Sequence, residues 1–221
     1  MKNRVLPLLL AVLLLFSACA QPASSSSSEA EPVDPYEYLL LPEGVKIGTS
    51  FAEAKELIKY TDEYEAEDGA IAYLTYYPWS SRTTGSERLK LGHYCEIFSI
   101  EYRFEAPKPW DEFENVSLLK EVNIVIHDTI KKQDRTKEKH GDIAAEFEVA
   151  EQFLIEHYGE PVKTDDRMGK LGYGYRSVWD IKEENIGIEM RVTEITSGDV
   201  HGEITLHYFS TEGYVDNWYD V

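Results

Sequence analysis

Six histidines, two cysteines and an acidic run are the residues in this chain that could do chemistry, and their spacing limits what that chemistry is. A zinc hydrolase needs two histidines one helical turn apart with a glutamate beside them. His93, His127, His140, His157, His201 and His207 contain no such pair. The run Asp62-Glu63-Glu65-Glu67-Asp68-Gly69 suggests a calcium loop, but with Gly69 at loop position 6 the ligand positions 1, 3 and 12 fall on Tyr64, Ala66 and Thr75. Those side chains cannot supply the required oxygens, so the run reads as a solvated acidic loop. Gly48-Thr49-Ser50-Phe51-Ala52 comes within one residue of a nucleophile elbow. Ser50 is better explained as a helix cap. The glycines Gly169, Gly172 and Gly174 lack the lysine and hydroxyl of a phosphate cradle. Cys95 would share the outer face of a strand with His93 if the parity of the residues after it extends back, and an imidazole there could lower a thiol pKa. A thiol with no oriented third group is usually structural. No catalytic residue, cofactor or metal site is therefore expected.

Aromatic residues carry the remaining signal. Fifteen tyrosines and four tryptophans are many, and two clusters, Tyr73-Tyr76-Tyr77-Trp79 and Tyr173-Tyr175-Trp179, suggest recognition surfaces. Tyr76, Tyr77, Trp79, Tyr173 and Tyr175 are the candidate contact residues. Their function would be to bind a protein or, as an alternative, to stack against cell-envelope glycan; a hydrolase without a familiar motif is a second alternative.

Two elements set the chain's address. Lys2 and Arg4 precede an apolar run from Val5 to Phe16, followed by Ser17, Ala18 and Cys19. This is the grammar of a signal peptide, over residues 1–18. The run is shorter than the roughly 20 apolar residues that span a bilayer as a helix. Phe16-Ser17-Ala18-Cys19 resembles the lipobox of bacterial lipoproteins, although Phe16 stands where an aliphatic residue is usual. The resemblance implies that Cys19 is acylated and becomes the new N-terminus. Two or more acyl chains make such an anchor lasting. The expected location is the extracytoplasmic face of the cell membrane.

Residues 19–35 are rich in Ser, Ala, Glu and Pro, including the run Ser24 to Ser28, and form a tether that cannot repay its ordering entropy. As a flexible coil it would span about 20–25 Å. Charge excludes some partners. The chain carries −19, and losing the positive Lys2 and Arg4 with the leader takes it to −21. Nucleic acid and anionic polymers require clustered cations instead. With Cys19 acylated, no disulfide is available to hold the fold, so the core must suffice.

The elements of residues 36–221 read as an α+β domain. Ser50 with Glu53 forms a capping box opening a helix whose Phe51, Ala54, Leu57 and Ile58 share a face. Ala70 to Tyr77 reads as a strand with two apolar faces. Phe98, Ile100, Tyr102 and Phe104 alternate with polar residues, as do Val122, Ile124 and Ile126. After a charged connector from Lys131 to Gly141, Ile143, Phe147, Ala150, Leu154 and Tyr158 form the stripe of a second helix, with Asp142 as its N-cap and Gly159 and Pro161 ending it. Strands follow at about Tyr173–Ile181, Ile186–Ile195 and Glu203–Phe209. Trp218 in the tail is placed to pack back onto the domain. The same order in residues 36–130 and 142–221 predicts a two-layer α+β fold of two tandem helix-plus-antiparallel-sheet units, about αβββ each.

The stretches IGTSFAEAKELI and FLIEHYGEPVKT…SVWDI resemble the small-lipoprotein and β-lactamase-inhibitor-protein-like group, whose units place a helical segment before an antiparallel sheet. The resemblance implies a protein-binding surface, commonly the outer face of the sheet, without a catalytic site. The first half lacks the Gly-x-Pro turn found at Gly159 and Pro161, and no binding residue carries over. The partner so implied is a protein of the cell envelope.

Overall fold

The computed structural model describes residues 34–66, 70–78, 89–92, 95–106, 116–128, 141–165, 175–194, 202–214 and 219. Asp34–Val221 makes one compact unit. The leader, Cys19, the tether up to Val33, the connector up to His140 and Trp218 lie outside the described residues, as do Trp79, His93 and Tyr173; Asp34 and Pro35, expected in the tether, belong to the folded part.

Alternation of apolar and polar residues builds the long strands β4 (Cys95–Glu105) and β5 (Leu118–Asp128). They pair antiparallel with β2 (Ile71–Tyr76) and β9 (Gly202–Ser210) on either side. Beyond these lie β1 (Asp62–Glu65) next to β2, and β8 (Ile186–Glu194), β7 (Arg176–Ile181) and β6 (Lys163–Asp165) following β9. A short β3 (Lys90–Leu91) pairs with β4. The result is a single nine-stranded antiparallel sheet in the order β1-β2-β4-β5-β9-β8-β7-β6, with β3 off this path.

This corrects the expected two tandem units. β5 and β9 bond to each other over Glu121↔Phe209 through His127↔Glu203, so one sheet runs through both halves. Each would otherwise be the edge of its own sheet, with a row of unpaired N–H and C=O groups. Pairing satisfies those groups and fuses the cores. The fold is sheet-dominated, with two α-helices among the described residues: α1 (Phe51–Leu57) and α2 (Gly141–Tyr158).

One row of the inner face shows the fusion. Leu74, Tyr102, Val122, Tyr208, Ile188 and Trp179 are successive register partners across six strands, and all are buried. Both helices lie on this side. The capping box of Ser50 and Glu53 forms as expected and starts α1, whose Phe51 meets Phe104 edge-on at 5.0 Å. Leu57, expected on the buried stripe, is the last residue of the helix and is 48 % exposed, whereas Ile58 just beyond it is buried. The second helix, α2, already begins at Gly141, one residue ahead of the expected cap Asp142. Its Phe147, Ala150 and Leu154 are buried, and Ile143 and Tyr158 pack at the margins. The helix ends at Gly159, where φ is +81°, and the Gly159 carbonyl accepts a hydrogen bond from the buried Trp179 Nε1 at 2.8 Å.

Residues before α1 are fastened to the same layer. A 3₁₀ turn, Pro35–Leu39, is capped by Asp34. Tyr208 Oη, near the end of β9, donates to the Leu39 carbonyl at 2.6 Å, and Tyr36 Oη donates to the Glu146 carboxylate on α2. Burial of Glu146 raises its carboxyl pKa, while the Tyr36 hydrogen bond opposes the rise.

Three short strands were not legible as strands. β1 is built from the acidic run expected to be a loop, and β3 and β6 have only two and three residues. A charged edge is one way to keep a sheet from adding further chains.

Leu154→Ala should cost about 2–5 kcal/mol, since the site is fully buried. Gly159→Ala should cost about 1–2 kcal/mol from backbone conformation alone, no atom standing within 4 Å of the added methyl. Urea unfolding of each variant checks both; equal, negligible losses would contradict this account of α2.

Candidate interaction face

Strand parity sends every second side chain away from the helices, and among the described residues no helix covers that outer face. Its residues come in rows. Tyr64, Tyr73, Arg103, Glu121 and Phe209 are successive register partners over β1, β2, β4, β5 and β9. Four strand spacings make this row about 19 Å long. Tyr64, 59 % exposed, lies tilted against Tyr73 at 6.1 Å. At the other end, Phe209 lies between His207 at 4.9 Å and the exposed Tyr214 at 6.2 Å.

Charges fill the centre. The Arg103 guanidinium meets Glu105 at 2.6 Å and Glu121 at 3.1 Å. Glu121 extends its other oxygen to within 3.8 Å of His207 Nε2, a nitrogen that is buried and has no hydrogen-bond partner. Burial holds the His207 pKa below its ordinary value, against the opposing pull of Glu121 and Glu189. In the adjoining row Glu101 stands between Thr75 and Asn123, and burial raises its carboxyl pKa. Arg176 bonds Glu189 at 3.2 Å and reaches Asp165 at 3.8 Å. His127 stacks on Phe98 at 4.2 Å and meets Glu203 at 3.2 Å. The face is thus a half-buried lattice of ion pairs with aromatic residues at its ends.

Among the described residues no group of three or more His, Cys, Asp and Glu side chains could hold a metal ion. Rings beside ion pairs suit a polypeptide surface, where aromatic residues and arginine concentrate at contacts.

The expected contact residues do not form one patch. Tyr76 points into the core, 5 % exposed, with the Lys59 ammonium 4.7 Å over its ring. Tyr77 is half-buried, edge-on to Phe98 at 6.4 Å. Tyr175 packs against Phe147 of α2 at 5.7 Å. Trp79 and Tyr173 lie outside the described residues. Tyr64, Tyr73, Phe209 and Tyr214 hold the outer positions instead. Adjacency groups Tyr73 with Tyr76, but in a strand odd and even residues part to opposite faces.

Cys95 is also corrected. It faces inward and is 2 % exposed. The register shifts between Ile97 and Ser99, leaving Phe98 as the extra residue of a bulge. Cys95 and Ile97 thereby join Ile100, Tyr102 and Phe104 on the core side, while Phe98 turns out to meet His127. A bulge of this kind reverses parity and is invisible to simple alternation.

Comparison of the chain with protein-family models, with characterised proteins and with solved structures finds no match.

The His207 shift has a defined sign. Because the folded-state pKa is depressed, the unfolded chain takes up the proton first as pH falls. Stability due to neutral His207 is full above the unfolded pKa of about 6.5 and is lost as pH drops through and below it. His207→Gln should flatten that part of the stability profile, measured as urea midpoint against pH. An unchanged slope would show that His207 does not carry it.

Proposed function

We propose that the chain is a membrane-anchored extracytoplasmic lipoprotein and a non-enzymatic module that binds another protein through the outer face of its sheet. The observation that carries this is the one-sided layering: both helices pack on the inner face, and the outer face presents partly buried ion pairs beside the exposed Tyr64 and Tyr214. An acidic, mixed-charge face steers and selects a partner more than it adds raw affinity. The leader and Cys19 support the location, and the serine-rich tether supports a domain held near the membrane without lying on it. The glycan alternative has less support: Tyr64 and Tyr73 are inclined at 31° to each other and continue into an ion pair, where a sugar groove would be floored by coplanar rings.

Two experiments check the proposal. Cys19→Ala should release the chain from the membrane fraction into the soluble one; retention unchanged from wild type would refute the anchor. A photo-crosslinking p-benzoylphenylalanine in place of Tyr64 should trap an envelope protein in cells, whereas the same group in place of Glu148, exposed on α2, should not. Equal trapping, or none at Tyr64, would refute the outer face as the binding surface.

A further inference from the structure

The ion pairs of the outer face leave out Glu101, Arg191 and, near the β7 edge, Asp180. Glu105 and Glu121 share Arg103, Asp165 and Glu189 share Arg176, and Glu203 has His127. Glu101 sits in the middle of these and is half-buried, but its register neighbours Thr75 and Asn123 are neutral. Among the described residues no hydrogen bond or ion pair reaches its carboxylate. Arg103, two residues along, makes its ion pairs with Glu105 and Glu121 and acts on Glu101 only through space. The second charge is Arg191 on β8, exposed and set opposite Arg176 in the register, like charge against like. Among the described residues it too has no ion pair.

A half-buried carboxylate that makes no direct ion pair costs free energy: the loss of solvent raises the Glu101 pKa, and the nearby Arg103 charge, which lowers it, offsets that only in part because Glu121 pushes it up again. A cation brought by another molecule would remove that cost. A partner's carboxylate at Arg191 would likewise screen it from Arg176. β4, β5, β9 and β8 are consecutive in the sheet and Glu101 shares its register row with Glu189, so Arg191 lies three strand spacings across and two residues along from Glu101, about 16 Å away. An extended peptide covers that distance in about four or five residues.

On the premise that the outer face is the binding surface, we propose that its partner is a polypeptide placing a lysine or arginine on Glu101 and an aspartate or glutamate on Arg191. The strong negative charge of the whole chain, −19, favours approach by the cationic end.

The test uses the full chain in detergent micelles, immobilised and exposed to a random-peptide display library. Enriched peptides should carry a basic residue, with an acidic one about four or five positions away. Synthetic copies should lose at least about 10-fold in affinity on Glu101→Gln. On Glu148→Gln, at the exposed side of α2, they should stay within about twofold. Glu101→Gln keeps the side chain's shape and removes its buried charge, so its unfolding midpoint should equal or exceed that of the wild type. Peptides that compete with Tyr64 crosslinking but carry no basic residue, or that bind Glu101→Gln as well as wild type, would overturn this partner chemistry and leave the outer face as the binding surface. Failure to enrich any peptide would overturn it as well.

Discussion

The antiparallel pairing of β5 with β9 is the interaction on which the rest of this fold depends. Among the described strands it is the seam between the first half of the chain and the second. Seven register pairs close it, from Glu121↔Phe209 to His127↔Glu203. On its inner side Val122 meets Tyr208, Ile124 meets Leu206 and Ile126 meets Ile204, all of them buried. Without it each half would expose a long apolar strand edge, which in water invites pairing with another chain. With it the two halves share a core, and Tyr208 lies at the junction, its hydroxyl holding the N-terminal turn through Leu39. The outer face depends on the same seam, since Glu121 and His207 approach each other only across it.

The described helices lie on one side alone, which gives the two faces of the sheet different tasks. The inner side gains from removing apolar surface, at about 25 cal/mol per Å², and tolerates no unmatched polar group. The outer side is freed from that rule and can carry charge. Its ion pairs are partly exposed, where such pairs add little to stability. Partial burial among neighbouring side chains also makes each remaining unmatched charge more consequential than on open surface.

Some elements were fully legible in the sequence. The capping box of Ser50 and Glu53, the stripe of α2 with its stop at Gly159 one residue past Tyr158, and the alternation of β5 rest on interactions within a few residues. The candidate face was legible only as polar positions alternating with apolar ones, such as Glu121, Asn123 and His127. Which of those positions meet was not, because register partners such as Arg103 and Glu121 come from different strands. The Phe98 bulge inverted the expected placement of Cys95, and adjacency in sequence misled the grouping of Tyr73 with Tyr76.

By itself the sequence determined the local periodicities, the caps and the acidic balance, since each is carried by neighbouring residues or by composition. Tertiary structure alone decided that the two halves form one sheet and not two units, that Cys95 is inside, and that Arg103, Glu121 and His207 converge while Glu101 is left over. Strand pairing is the physical reason. Backbone N–H and C=O groups are alike in every residue, so sequence pattern shows that a strand has a partner without naming it. Which edge finds which is settled only when the whole inner face is buried at once.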